Sequence, residues 1–108
     1  MVVWFWSTTI HKTSLLTSED RANIPELYKS EDLKMDDMIV HAKFFTPWSN
    51  WTWYVIEFDG EDRCFGYVKG LEDEFGYFTL SELESLEGPF GLKVERDKYF
   101  EPKPFSQI

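Results

Sequence analysis

The stretch that decides the fold covers residues 51–69 and reads WTWYVIEF, then DGED, then RCFGYVK. Its two outer parts are rich in β-branched and aromatic side chains, which favour extended strands. Between them, Asp59 and Gly60 are the residue types that a tight turn needs. The sequence therefore predicts a β-hairpin with strands over 51–58 and 63–69. In the first strand, alternation assigns one face to Trp51, Trp53, Val55 and Glu57, and the other to Thr52, Tyr54, Ile56 and Phe58.

Further strands are predicted on both sides of this hairpin. Residues 38–46 alternate, and this places Met38, Val40, Ala42 and Phe44 on one face. A short strand is expected over 75–78 and a final one over 92–100. Gly70, at the end of the hairpin, either leaves room for a large aromatic residue or marks a bulge. Antiparallel pairing of these segments around the hairpin would give a small sheet.

Two helices complete the predicted fold. Thr17 is placed to cap a short N-terminal helix that Pro25 ends. Thr79 and Glu82 have the spacing of a capping box, in which each side chain accepts a hydrogen bond from the other residue's backbone N–H. Leucines at 80, 83 and 86 would form an apolar stripe against the sheet. The fold class is α+β, a small antiparallel sheet with a flanking C-terminal helix and a short N-terminal helix.

A chain of 108 residues favours one domain, which we place over residues 15–108. Residues 1–14 are a separate, apolar extension, and two interpretations are open, an extra strand or a loosely held leader. The opening apolar run is too short for a secretory signal, and no segment has the length of a transmembrane helix. The lone Cys64 excludes an internal disulfide and fits a cytoplasmic location.

Acidic residues are concentrated in one part of the chain. The whole chain has 20 acidic and 11 basic residues, a net charge of −9, and residues 57–87 contain ten acids against two basic residues. Such an excess repels nucleic acid and anionic membranes, so no direct binding to either is predicted. Three interpretations are open: a solvated surface, a surface for a basic partner, or a divalent-cation site, for which the calcium-loop spacing is incomplete. The acids predicted to contact a partner are Asp59, Glu61, Asp62, Glu72, Asp73 and Glu74.

Aromatic residues suggest an apolar anchor for such a partner. Trp48 and Trp51 are the candidates, since aromatic side chains dominate interface hot spots, although core packing alone would also explain them. Stacking on single-stranded nucleic acid needs a basic groove, which this charge opposes. No catalytic motif surrounds His41 or Cys64, so no catalytic residue, cofactor or metal is predicted. The alternative is a small-ligand or hydrolytic site that combines carboxylates with His41.

Long strings in the chain resemble an uncharacterised bacterial family, domain of unknown function 2958, over about residues 15–104. These strings are FFTPWSNWTWY (44–54), EFDGED (57–62), GYFTLSELE (76–84), GPFGL (88–92), VERD (94–97) and YFEPKP (99–104). The resemblance transfers no catalytic residue. It implies a setting of plasmids, phages and conjugative elements, whose small acidic proteins often inhibit host defence by imitating DNA or covering a nuclease. The expected function is a non-enzymatic inhibitor, of the anti-CRISPR or anti-restriction type, of a basic nucleic-acid-handling protein. A homodimer formed through an unpaired strand edge is a further open interpretation.

Overall fold

The computed structural model describes residues 15–108, so both interpretations of the extension at 1–14 lie outside the described residues. In chain order the elements are α1 (Ser18–Asn23), β1 (Ile39–Val40), β2 (Ala42–Phe45), β3 (Thr52–Phe58), β4 (Arg63–Lys69), β5 (Asp73–Thr79), α2 (Leu80–Ser85), β6 (Glu95–Arg96) and β7 (Lys103–Pro104). Short 3₁₀ turns cover Met35–Asp37, Pro89–Gly91 and Phe105–Gln107.

Five strands form one antiparallel sheet in the order β5-β4-β3-β2-β6, and β1 pairs with β7 in a separate two-stranded ribbon. The predicted hairpin is confirmed, with its turn between β3 and β4. Both predicted helices are present, and the α+β class is confirmed. The strand expected over 92–100 is much shorter, because β6 pairs with β2 through two residues only.

A β-bulge in β3 corrects the predicted faces of its last residues. Val55 is in register with Gly66, but Glu57 is in register with Phe65, which leaves Ile56 as the extra residue. An extra residue shifts the alternation by one position. Phe58 therefore packs in the same cluster as Trp53 and Val55, and the prediction that placed it on the opposite face is wrong.

The predicted strand 38–46 is divided at His41. Ala42 and Phe44 continue in the five-stranded sheet and pack with Val55, whereas Met38 and Val40 belong to the cluster of Ile56. The shared face predicted for these four residues is wrong. The physical reason is that β1 does not continue the line of β2 but pairs with the C-terminal β7. This contact is long-range, and alternation of residue types does not predict it.

The sheet is covered on both sides. On its helical face, Leu80 and Leu83 of α2 pack against the larger cluster. On its C-terminal face, Phe100 and Phe105 pack against the smaller one. Thr17 caps α1, as predicted, and the Asp20 side chain completes a capping box that was not predicted.

Candidate functional site

The turn between β2 and β3 is built around the buried Thr46. Its N–H donates to the Trp51 carbonyl (3.1 Å), and its carbonyl accepts from the Ser49 N–H (3.2 Å). Its hydroxyl is hydrogen-bonded to the Ser49 hydroxyl and accepts from the Trp51 N–H (3.3 Å). These bonds fix the backbone that carries Trp48 and Trp51, the two predicted anchors.

Two glycines provide flat surfaces for these indoles. A Cβ at Gly70 would lie 2.4 Å from the Trp51 ring, and a Cβ at Gly88 would lie 2.2 Å from the Trp48 ring. Only glycine permits such a close approach of an indole to the backbone. Trp51 also stacks on Trp53, with ring centroids 5.8 Å apart. The three indoles are therefore held by their surroundings.

These side chains enclose a cavity of about 500 Å³ between the β2–β3 turn and α2. It is lined by Thr46, Trp48, Ser49, Trp51, Trp53, Phe78, Glu82, Leu83 and Leu86. The volume is in the range of small-molecule and side-chain pockets. Leu86, predicted as part of the core stripe, is 40% exposed and lines this cavity.

Among the described residues that line the cavity, Glu82 is the one that carries a charge. The sequence suggested it as a capping residue only. The Thr79 hydroxyl does accept from the Glu82 N–H (3.1 Å), but the Glu82 carboxylate accepts from the Thr79 hydroxyl (2.9 Å) and not from the backbone. Glu82 thus lines the cavity while its carboxylate is held by its own helix cap, a placement that the spacing could not reveal.

Half of the predicted acids lie beside this cavity. Glu72, Asp73 and Glu74 belong to the β4–β5 hairpin, next to Gly70, which contacts Trp51. Glu74 is in register with Val68, and Val68 with Trp53, so Glu74 is on the helical face in the same cross-strand row as Trp53. All three acids are exposed.

The other predicted acids lie at the opposite end of β4, about 20 Å away for a strand of this length. The Asp59 carboxylate accepts from three backbone N–H groups in its turn. Partial desolvation raises the pKa of Asp59, but those donors and Arg63 outweigh it and the net pKa is lowered. Asp62 accepts from the N–H (2.9 Å) and hydroxyl (2.6 Å) of Ser81 in α2. Glu61 is exposed. The six acids therefore do not form one continuous surface.

His41 lines a different cleft, of about 510 Å³, together with Asp20 and Arg96. Burial lowers the pKa of His41 from 6.5, and the charge of Asp20 opposes that shift. Both Asp20 oxygens are bound by the Arg96 guanidinium, and one also accepts from the Thr17 N–H. Among the described residues, no hydrogen bond joins the imidazole to a carboxylate.

Three further features bear on what the described residues can do: the thiol of Cys64, clusters of metal-binding side chains and membrane-spanning helices. Cys64 is fully buried, and burial raises the pKa of its thiol to about 12, so the reactive thiolate does not form at neutral pH. Across residues 15–108, no group of three or more His, Cys, Asp or Glu residues is placed to hold a metal ion. No helix in that same part of the chain is long and apolar enough to cross a membrane.

Fold and site together define a small α+β domain with a tryptophan-lined cavity beside an acidic hairpin. The model of the family described as "Protein of unknown function (DUF2958)" matches residues 15–107, and the chain belongs to this family. No curated protein and no solved structure matches the chain.

Proposed function

We propose that this chain is a non-enzymatic protein-binding module that engages a basic partner through one end of its sheet. The observation that supports the proposal is the juxtaposition of the tryptophan cavity, with Trp48 and Trp51, and the acidic hairpin of Glu72, Asp73 and Glu74. We call this end of the molecule the tryptophan end.

The two parts of the tryptophan end would contribute differently to binding. Large aromatic side chains in a preformed pocket supply most of the affinity in many interfaces. Exposed charges at the rim supply attraction at a distance and select partners of opposite charge. Because Asp59 and Asp62 already hold a turn and α2, the proposal gives partner contact to the acids near the cavity.

A narrower proposal follows from the mobile-element setting that the family resemblance implies and from the net charge of −9. The partner would be a nuclease or another nucleic-acid-handling defence protein, and this chain its mobile-element-encoded inhibitor acting in the cytoplasm. A protein that binds nucleic acid has a basic surface, which an acidic domain can occupy. The charge supports a basic partner, and the family setting supports a role in defence.

The test is capture of partners from nuclease-treated bacterial lysate by the tagged chain and two charge variants. The first variant combines Glu72→Lys, Asp73→Lys and Glu74→Lys. Its matched control combines Glu31→Lys, Asp32→Lys and Asp36→Lys. These three exposed acids lie in the segment before β1. The segment follows the loop that Glu57 holds, at the end of β3 away from the tryptophans. Both variants change the net charge equally.

We expect one basic protein to be captured by the wild type and the control, and lost in the hairpin variant. Its retention should fall as ionic strength rises from 0.01 M to 0.15 M, where the screening length falls from about 30 to about 8 Å. Equal capture by all three proteins would contradict the proposal. A small-molecule thermal shift that disappears in His41→Gln would instead support the ligand-binding or hydrolytic alternative at the His41 cleft.

A further inference from the structure

We propose that the tryptophan cavity receives an arginine side chain of the partner. This inference rests on the proposed function for the source of the arginine, but the chemistry of the cavity can be tested separately. The cavity's volume is about 500 Å³, and its lining combines three indoles with Glu82, whose carboxylate is held by the Thr79 hydroxyl.

The lining selects for a cation over an apolar group. Indole rings attract cations through their π-electrons more strongly than other aromatic side chains do. A purely apolar occupant would displace water from the Glu82 carboxylate and leave it with the Thr79 hydroxyl alone, which is unfavourable. A cation with apolar surroundings satisfies both parts of the lining.

Guanidinium fits this lining better than a primary ammonium. The ammonium group of lysine is compact and strongly hydrated, and one carboxylate replaces few of its water contacts. A guanidinium is planar, more weakly hydrated and stacks on aromatic faces. It can also bind the Glu82 carboxylate through two parallel N–H donors.

The wall of the cavity is already in place before a ligand arrives. Gly70 and Gly88 fix the positions of two indoles, and the hydrogen bonds of Thr46 fix the turn that carries them. A preformed site loses little side-chain entropy on binding, which leaves more of the interaction energy for affinity.

Charges around the cavity support the same sign of ligand. Glu74 is on the helical face, in the row of Trp53, and Glu72 is two residues before it. Lys69, the nearest basic residue of β4, follows Val68, so alternation directs its side chain to the C-terminal face. An approaching arginine thus meets the acidic Glu74 on the cavity's own face, with Glu72 in the adjoining turn.

The experiment compares N-acetyl-arginine N-methylamide with its citrulline counterpart, which has nearly the same shape without the charge. The full chain, labelled with ¹⁵N, is titrated with each compound while the indole N–H signals of Trp48, Trp51 and Trp53 are followed. We expect a dissociation constant of the order of 1 mM for arginine and binding about ten-fold weaker for citrulline.

Two variants locate the effect. Glu82→Gln keeps an acceptor for the Thr79 hydroxyl and should weaken arginine binding about ten-fold, towards the value for citrulline. Glu31→Gln removes an equivalent exposed charge in the segment before β1 and should leave arginine binding unchanged. Thermal unfolding of both variants confirms that they are folded.

The outcomes separate this inference from the proposed function. Equal shifts with arginine and citrulline, or no indole shift with either, would overturn the inference while salt-dependent capture by the acidic hairpin could still stand. Arginine binding without any captured partner would contradict the claim that a partner protein supplies the arginine side chain. Arginine binding together with capture that is lost in Glu82→Gln supports the inference in full.

Discussion

Glu57 shows at the scale of one residue how the fold is held at the end of β3 away from the tryptophans. Its side chain is 3% exposed, and its two carboxylate oxygens accept from the backbone N–H groups of Tyr28 and Ser30, each at 2.8 Å. Tyr28 has φ of 71°, a left-handed conformation that non-glycine residues rarely adopt. The carboxylate therefore holds the loop after Pro25 in a conformation that its own sequence does not favour.

Glu57→Gln should lower the free energy of unfolding by about 1–3 kcal/mol. The amide NH₂ replaces one acceptor oxygen and faces an N–H donor, so one buried donor loses its partner. Urea unfolding measures the change. Glu61→Gln is the control, and because this residue is exposed its effect should be under about 0.5 kcal/mol. Equal stability of the Glu57 variant and the wild type would show that the loop is held by other contacts.

The sequence could not identify this role of Glu57. Alternation assigned the residue to the face of Trp53, where an acid has no evident task. The bulge at Ile56 moves Glu57 to the other side, towards the loop of residues 28–30, and a bulge depends on how the partner strand pairs. Trp48 and Trp51, in contrast, could be named as candidates from residue type, because large aromatic side chains beside a turn either pack in the core or anchor a partner.

At the scale of elements, the close contact between the β4–β5 hairpin, the segment after α2 and the β2–β3 turn depends on Gly70 and Gly88. Each glycine belongs to a different connection, and each contacts one indole of the cavity. The sequence suggested that Gly70 leaves room for an aromatic residue, and this is confirmed. The contact between Gly88 and Trp48 was not predicted, since a glycine after a helix is explained by the helix end alone.

Gly70→Ala and Gly88→Ala should each displace one indole from the cavity. Overpacking of this kind typically costs about 1–3 kcal/mol, and the displaced ring should also weaken arginine binding. Gly76→Ala is a matched control, because a Cβ there meets nothing within 4 Å. Unfolding in urea and the indole N–H signals report both effects. If Gly76→Ala shifts the indole signals as much as the other two, the glycine contacts do not position the rings.

At the scale of the whole molecule, sequence proximity was a poor guide to the acidic surface. Ten acids lie between residues 57 and 87 in the sequence, but β4 places Asp59, Glu61 and Asp62 about 20 Å from the β4–β5 hairpin. The helices, the hairpin and the antiparallel class could be predicted because turn and cap residues act locally. The cavity could not, because it depends on contacts between three connections that are distant in sequence.

This separation allows the contribution of the hairpin acids to folding to be measured apart from binding. Glu72, Asp73 and Glu74 are exposed, and replacing all three with lysine adds two charges at each site, so the net charge rises from −9 to −3. The smaller net charge reduces self-repulsion, which favours the folded state. Asp73→Lys, however, places a second ammonium group directly opposite Lys69, which is unfavourable, so the two effects partly cancel. We expect the free energy of unfolding to change by less than about 1 kcal/mol.

Urea unfolding at 0.01 M and 0.15 M ionic strength provides the measurement, and the difference between variant and wild type should shrink at the higher value because exposed charges are screened. Unchanged stability combined with lost capture would mean that these acids serve a partner. A loss of several kcal/mol at both ionic strengths would mean that the hairpin itself needs them, because screening cannot remove a folding defect. In that case the lost capture would reflect a damaged tryptophan end, and the acids would have no separate role in recognition.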